Sequence, residues 1–424
     1  MRNNRRYDLS DRLIHFFRDL DLGHDDAPQT PQWWGYGSRD DDDKLSAHFL
    51  QRHAIRQGRL WATWSFRTTG RTIYGPRPAV CFTEMPIAAF IETALARNLR
   101  GEAISPFAIV LPKRALFQIG ARPVIYGLTG TPPPAKVEVD GARMLPDDVL
   151  PRHEQYRYAA FDGHQGRPDW SHEREWRWPL QGRAWRDPDG LPPAHSDDLP
   201  GLDLDHPDMA GLGVIVANQE QARWVVGDIL TKVDRGDIAA DHYEFVLAYE
   251  TISDWRELRD YEKMQRKVAE YAIDLAPFFA MSEKRARARI AKLDAWFVKA
   301  HKKASRKHCD GDLPCGKCWL WIGGNQHPLV RALVAMGRIT VSTDGFYLIE
   351  VSSGSGDSST ERQVDAIERV ARKLRRRLGL SATSYRVVSG DDPEGVRYFG
   401  DTLDDDFIYN SSGVGTGSLD SSVF

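Results

Sequence analysis

Cysteine is scarce in this chain. Four thiols in 424 residues, three of them crowded between positions 309 and 318, do not make the disulfide framework of a small secreted scaffold. Long apolar runs are absent too. No stretch approaches the roughly 18 consecutive apolar residues that span a bilayer. The opening residues are basic with no apolar core behind them, unlike a secretory signal. Charge of one sign is also lacking: the net charge of −3 excludes a bulk attraction to nucleic acid or to an anionic membrane. A cytoplasmic protein with no membrane partner is the resulting expectation.

What is present is a globular composition, 41% hydrophobic and 28% charged. Its length is more than one core usually supports, so at least two domains are expected. Tryptophan is abundant, with 13 residues, many beside arginine or glycine. Such rings serve either as stacking platforms or as the packing of an aromatic-rich core.

The patterning alternates strands and helices. Residues 44–58 read as a helix ended by Gly58, followed by strand-like stretches at 60–66 and 79–82. The second runs into Thr83-Glu84-Met85-Pro86, which has the look of a helix start. Thr83 is suited to the N-cap there and Glu84 to the first turn. Ile87, Phe90, Ile91, Ala94 and Leu95 then form one apolar helical face. Further strands are expected at 107–111, 123–126, 156–161, 175–180, 213–217 and 243–249, with a helix at 219–233. Beyond 254 the pattern is helical, over 254–277 and 282–305. The second of these is strongly basic, from Lys284 to Lys307. Helices near 327–336 and 361–377, a hairpin across Asp344-Gly345 and a strand at 385–388 complete the pattern. The tail after 401 is rich in Ser, Gly and Asp and reads as disordered.

The most informative stretch is Glu173-Arg174-Glu175-Trp176-Arg177-Trp178. On one strand, residues two apart share a face, so Glu173 and Glu175 would project together and Arg174, Trp176 and Trp178 oppositely. Two such carboxylates can divide labour at a glycosidic bond. One steadies an oxocarbenium ion while the other orients or deprotonates the nucleophile. The plainer alternative is a solvated strand on which Glu175 and Arg177 form an ion pair. Cys81 as a nucleophile served by His48 or His53 is a further alternative.

A Glu-x-Glu pair of this kind resembles that of mono-ADP-ribosyltransferases. Leu13-Ile14-His15-Phe16, with Phe49-Leu50, Ile55, Gly58 and Leu60, resembles the opening of DNA-targeting ADP-ribosyltransferases of the DarT type. Three segments together resemble AbiGi-type abortive-infection proteins of phage defence: 77–86, 120–126 and 173–177. The likeness spans about residues 10 to 250. It implies a split β-sheet ADP-ribosyltransferase-like domain with NAD in its cleft. Glu175 would be the transition-state carboxylate and Glu173 its acceptor-side partner. His15 would hold the nicotinamide ribose or amide, and Tyr74 or Trp64 would stack on the ring. Arg67, Arg71 or Arg77 would pair with the pyrophosphate. The chain departs from the family in a long acidic loop after His15 and in lacking a Ser-Thr-Ser strand.

Nearer the C-terminus, His308, Cys309, Cys315 and Cys318 have residue types that suit a structural zinc site, with reduced thiols packed near Trp319 and Trp321 as the alternative. A metal nuclease using Asn325 and His327 is a further alternative. The segments 316–322 and 325–331 resemble an uncharacterised bacterial domain of the DUF4427 type, which implies no activity. The expected organisation is α+β. It has an ADP-ribosyltransferase-like domain at 1–252, a basic helical connector at 253–307, a small α/β domain with a zinc knot at 308–400, and a tail at 401–424. The function this implies is NAD-dependent mono-ADP-ribosyl transfer in phage defence or as a toxin, onto nucleic acid or protein. The alternative is an inactive nucleotide- or nucleic-acid-binding defence module. Helix 282–307 is the expected contact for RNA or DNA.

Overall fold

The computed structural model describes residues 10–21, 44–67, 70–128, 136–137, 143–161, 170–181, 200–259, 261–306, 317–351 and 360–398. The chain is mixed α and β and divides into two compact units. One is Met1–Val225 with Asp241–Asp274; the other is Val226–Ala240 with Leu275–Phe424. Among the described residues, no helix is long and apolar enough to cross a membrane.

The first unit is built on a seven-stranded sheet. Its strands are β1 (Arg12–Phe16), β2 (Ala79–Thr83), β3 (Ala108–Pro112), β4 (Arg122–Pro123), β5 (Glu175–Pro179), β6 (Leu212–Val216) and β7 (Tyr243–Ala248), in the order β7-β6-β3-β1-β2-β5-β4. All neighbours are antiparallel except β6 and β7. That parallel pair needs a crossover, and the segment between the two strands contains a helix. The middle strands read as continuous apolar runs because both of their faces are covered. Ala108, Ile109, Val110 and Leu111 of β3 are each fully buried.

Helix α1 (Ala47–Gln57) is capped by the Ser46 hydroxyl, which accepts from Phe49 N at 3.1 Å. It ends at Gly58, whose φ of 64° favours glycine. A Cβ there would also lie 2.1 Å from the Asp205 carboxylate. Fully buried Gln51 donates to the carbonyls of Ala108 and Ile215, at 2.9 and 2.8 Å, tying α1 to β3 and β6. Helix α2 (Ile87–Asn98) buries Ile87, Phe90, Ile91 and Ala94 in a core with Ile14, Val110, Ile215 and Leu247, the apolar face that the spacing predicts.

Some boundaries differ from expectation. The stretch at 60–66 has a strand only over Arg59–Trp61, and the 123–126 stretch is divided. Its first part ends β4, while Ile125–Leu128 pairs in parallel with Tyr158–Phe161. Pro86 precedes α2 without a side-chain cap. The Thr83 hydroxyl instead accepts from Met85 N at 3.2 Å, a local turn upstream of the helix.

The remaining helices are α3 (Lys113–Gln118), α4 (Gln219–Arg235), α5 (Tyr261–Tyr271), α6 (Ala276–Phe279), α7 (Glu283–Ala304), α8 (Pro328–Ala335) and α9 (Thr360–Leu378). Within the stretch read as a connector, α5 belongs to the first unit and α7 to the second. The second unit holds a four-stranded sheet of β8 (Cys318–Ile322), β9 (Thr340–Val341), β10 (Tyr347–Glu350) and β11 (Ala382–Arg386), ordered β9-β10-β8-β11. Its core takes Ile290, Leu293 and Phe297 from α7, Val330 and Leu333 from α8, and Ile367, Val370 and Leu374 from α9. The tail after 401 lies outside the described residues.

Candidate functional site

Strand β5 pairs with β2 so that Glu175 faces Thr83 and Arg177 faces Cys81. Cross-strand partners share a face of the sheet. The Arg177 guanidinium grips the Glu175 carboxylate with both oxygens, at 2.7 Å from Nε and 3.2 Å from Nη2. Its Nη1 donates to the carbonyls of Tyr156 and Tyr158 at 2.8 and 3.0 Å. Arg177 is 4% exposed, so the cationic half of the ion pair expected on a solvated face is instead buried. The planar fork locks the carboxylate in one orientation. Burial, and next the negative charge of Glu175, push the Cys81 thiol well above its ordinary range. Cys81 is therefore a neutral thiol near pH 7, not a ready thiolate nucleophile. His48 and His53, its expected helpers, lie on α1 against Phe107 and Phe49 respectively.

The two glutamates do not share a strand. Glu173 ends a single 3-10 turn, Trp170–Glu173, and the strand starts at Glu175. Between them Arg174 has φ 47°, one of two non-glycine residues with positive φ among those described. Such a conformation costs about 1–3 kcal/mol and persists only where the surroundings enforce it. Here the Thr83 hydroxyl donates to the Glu173 carbonyl at 2.5 Å, and Glu84 N to the Arg174 carbonyl at 3.3 Å. Arg97 of α2 holds the Glu173 carboxylate at 2.7 Å. Glu173 thus anchors the turn, and only Glu175 reaches the open cavity beside it.

That cavity is about 330 Å³ and is lined by Glu84, Tyr126, Ser171, Arg174, Glu175 and Trp176, with Pro123 and Val124 completing the wall. Glu84, read from sequence as a helix-start residue, accepts from Lys113 Nζ at 2.5 Å and from the Trp176 indole at 2.7 Å. Tyr126 accepts from Glu175 N at 3.3 Å. Burial, and next the neighbouring carboxylates, raise its phenol pKa despite that hydrogen bond. Sequence reasoning missed Glu84 and Tyr126 as parts of this arrangement, and placed Arg177 beside Glu175 only as an ion pair on a solvated face. The Glu175-x-Arg177 spacing was the available signal for Arg177. Glu84 and Tyr126 had none, since only sheet pairing brings them beside Glu175.

The other expected ligands are scattered. His15 on β1 hydrogen-bonds through Nδ1 to the Cys81 carbonyl at 2.9 Å and packs edge-on to Phe17 and Phe82. Arg71 lies 4.2 Å over the Trp64 ring. Trp64 packs with Cys81 on the cluster of Ile73, Ala79 and Tyr156. Tyr74 is 5% exposed, its ring edge-on to Tyr158 and its hydroxyl taken by Arg143, so it offers no stacking face. Arg77 is half-buried. The side chain of Arg67 lies outside the described residues. None of the described ones, His15, Trp64, Arg71, Tyr74 and Arg77, lines the cavity at Glu175.

Burial lowers the His15 pKa from 6.5 to about 4, although the bond to Cys81 works the other way. The unfolded chain then binds this proton at higher pH than the folded one. The stability His15 contributes is complete above about pH 6.5 and is lost as pH falls toward 4, by up to about 3 kcal/mol. Urea unfolding of wild type and His15→Gln should therefore diverge at neutral pH and converge near pH 4. Parallel curves throughout would refute the assignment.

In the second unit, Cys318 opens β8 and is 2% exposed in the core beside Leu320 and Ile322. His308, Cys309 and Cys315 lie outside the described residues. No group of three or more metal-ligating side chains occurs among the described ones. His327 caps α8, accepting from Leu329 N, and Asn325 donates to the Gly227 carbonyl at 2.7 Å. Both have structural work there.

Residues 288–411 match a family described as a protein of unknown function, DUF4427. The match begins inside α7 and runs beyond β11, so it takes in most of α7 together with α8, α9 and the sheet. No curated protein and no solved structure matches the chain.

Proposed function

We propose that the first unit is a NAD-dependent mono-ADP-ribosyltransferase, built on an ADP-ribosyltransferase-like sheet and acting in phage defence or as a toxin. The observation that carries this reading is the Glu175 carboxylate, held at the start of β5 by Arg177 and facing a cavity walled by Tyr126 and Trp176. The resemblance of the Glu-x-Glu segment and of the His15 strand supports it. In the reaction the bond between ribose C1′ and the nicotinamide nitrogen breaks, and its electron pair leaves with nicotinamide. The resulting oxocarbenium ion needs a fixed negative charge beside it. Glu175 accepts from one guanidinium, and a carboxylate has lone pairs for more than that. A cavity of about 330 Å³ lies at the small end of ligand sites. It suits a nicotinamide ring and its sugar, with the rest of the dinucleotide lying outside it.

The acceptor's nucleophile then attacks C1′ and loses its proton to a base. Glu84 is paired with Lys113 as Glu173 is with Arg97, but of the two only Glu84 lines the cavity, which makes it the better placed group for that role. The test is nicotinamide release from NAD by the full chain, alone and with RNA, DNA or protein extract. Release that disappears in Glu175→Gln supports the reading. The close Glu175–Arg177 pairing favours one alternative, a scaffold that binds a nucleotide without cleaving it. A folded protein that binds NAD but never releases nicotinamide would establish that alternative.

A further inference from the structure

We propose that the groove between α7 and α9 binds the backbone of a single-stranded nucleic acid. This is independent of the reading of the first unit. Helix α7 buries Ala286, Ile290, Leu293, Phe297, Ala300 and Ala304. Helix α9 buries Ala366, Ile367, Val370, Ala371 and Leu374. Both are amphipathic, and their polar faces meet along one seam. Lys299 and Lys303 from α7, with Arg369, Arg372, Lys373 and Arg376 from α9, line an open groove of about 280 Å³.

Six cations converging in a chain of net charge −3 are not a by-product of composition. Three pairs stand four residues apart on their own helices: Lys299 with Lys303, Arg369 with Lys373, and Arg372 with Arg376. Like charges at that spacing destabilise a helix, and a face needed only for solubility would alternate signs. Among the described residues, the ion pair at this groove is Arg369 with Asp365, at 2.7 Å. An incoming polyanion would relieve the repulsion and release its own counterions.

A second observation selects a single strand. Trp296, half-buried, has the ammonium groups of Lys292 and Lys373 each 5.6 Å from its ring centroid. Lys373 also lines the groove, which places the indole at the groove's edge. A duplex keeps its bases stacked inside, whereas a single strand can stack a base on such a ring while its phosphates follow the cations.

Fluorescence anisotropy of the full chain with labelled strands of about 12 nucleotides tests this. RNA, DNA and the annealed duplex would be compared from about 50 to 200 mM salt. Single strands should bind more tightly than duplex, with a log–log salt slope near −4 for about six neutralised phosphates. Preference for RNA or for DNA identifies the source. Arg372→Gln with Arg376→Gln should make the slope shallower by roughly 1.4. Trp296→Leu should weaken single-strand binding about 10-fold and leave the slope unchanged. Arg266→Gln, on an exposed position of α5 and not part of the groove lining, should change neither. Lys299→Gln with Lys303→Gln repeats the charge test should the α9 variant unfold. Wild-type affinity in both groove variants, or no binding by wild type, would overturn the proposal. Inorganic phosphate displacing the strand better than chloride at equal ionic strength would also overturn it, in favour of a small-anion site. Equal affinity for duplex, indifferent to Trp296, would mean that any polyanion suffices.

Discussion

Glu175→Gln should lower nicotinamide release from NAD by about 10²–10³-fold. Glutamine keeps the shape and one acceptor oxygen but not the charge that a developing oxocarbenium ion requires. The substitution also strips the buried Arg177 of its counter-ion, so stability must be followed alongside activity. Arg177 retains the carbonyls of Tyr156 and Tyr158, which limits that loss. Arg177→Lys separates the two effects. It keeps a positive charge but loses the fork that orients the carboxylate. If chemistry is at stake, Glu175→Gln is inactive at temperatures where its melting curve shows it fully folded. Arg177→Lys then keeps measurable activity. If the two variants lose activity only in proportion to their unfolded fraction, Glu175 is structural and the transferase reading falls. Glu84→Gln should spare nicotinamide release more than transfer to an acceptor, whereas Glu173→Gln should act through the Arg97-anchored turn and alter both.

The largest stability effect is expected in the second unit. Asp234 near the end of α4 and Arg331 of α8 form a pair whose side chains are 2% and 5% exposed, with a second contact at 2.8 Å. Tyr347 donates to the same carboxylate at 2.7 Å, and Asn325 donates to Tyr347 at 3.1 Å. Burial, and next the charge of Asp234, raise the Tyr347 pKa, so the phenol remains a donor. The Arg331 Nε donates to the Phe278 carbonyl at 2.9 Å. Asp234→Ala leaves a buried guanidinium without its counter-ion, at a cost of about 3–5 kcal/mol. That is a large part of the 5–15 kcal/mol that usually holds a domain. Urea unfolding followed by tryptophan fluorescence would report it, since Trp319 and Trp321 are buried in this unit. Asp234→Ala combined with Arg331→Leu should cost less than the two single variants summed, because removing both partners leaves no orphaned charge. A midpoint indistinguishable from wild type in Asp234→Ala would show that the pair contributes nothing.

Where the sequence has a strong period, element and structure agree. The Ile87, Phe90, Ile91 and Ala94 face of α2 packs as spaced. Gly58 ends α1, and Asp344-Gly345 lies between the paired β9 and β10. Pattern and structure part where local signals compete. Thr83-Glu84-Met85-Pro86 has helix-start chemistry, yet Thr83 ends a strand and Glu84 turns to Lys113 and Trp176. Glu173-Arg174-Glu175 alternates like a strand, yet tertiary bonds from Thr83 and Arg97 hold its first residue in a turn.

By itself the sequence determined the helices, the apolar central strands and the basic character of α7, because these follow from residue spacing and composition within one element. It also marked Glu175 as the carboxylate to watch. Only the tertiary structure decided which groups stand around that carboxylate. Glu84, Tyr126 and Cys81 lie far from Glu175 along the chain and reach it through strand pairing and the packing around β5. The same holds for the basic groove. One of its walls belongs to α7 and the other to α9, and only helix packing sets their charges face to face.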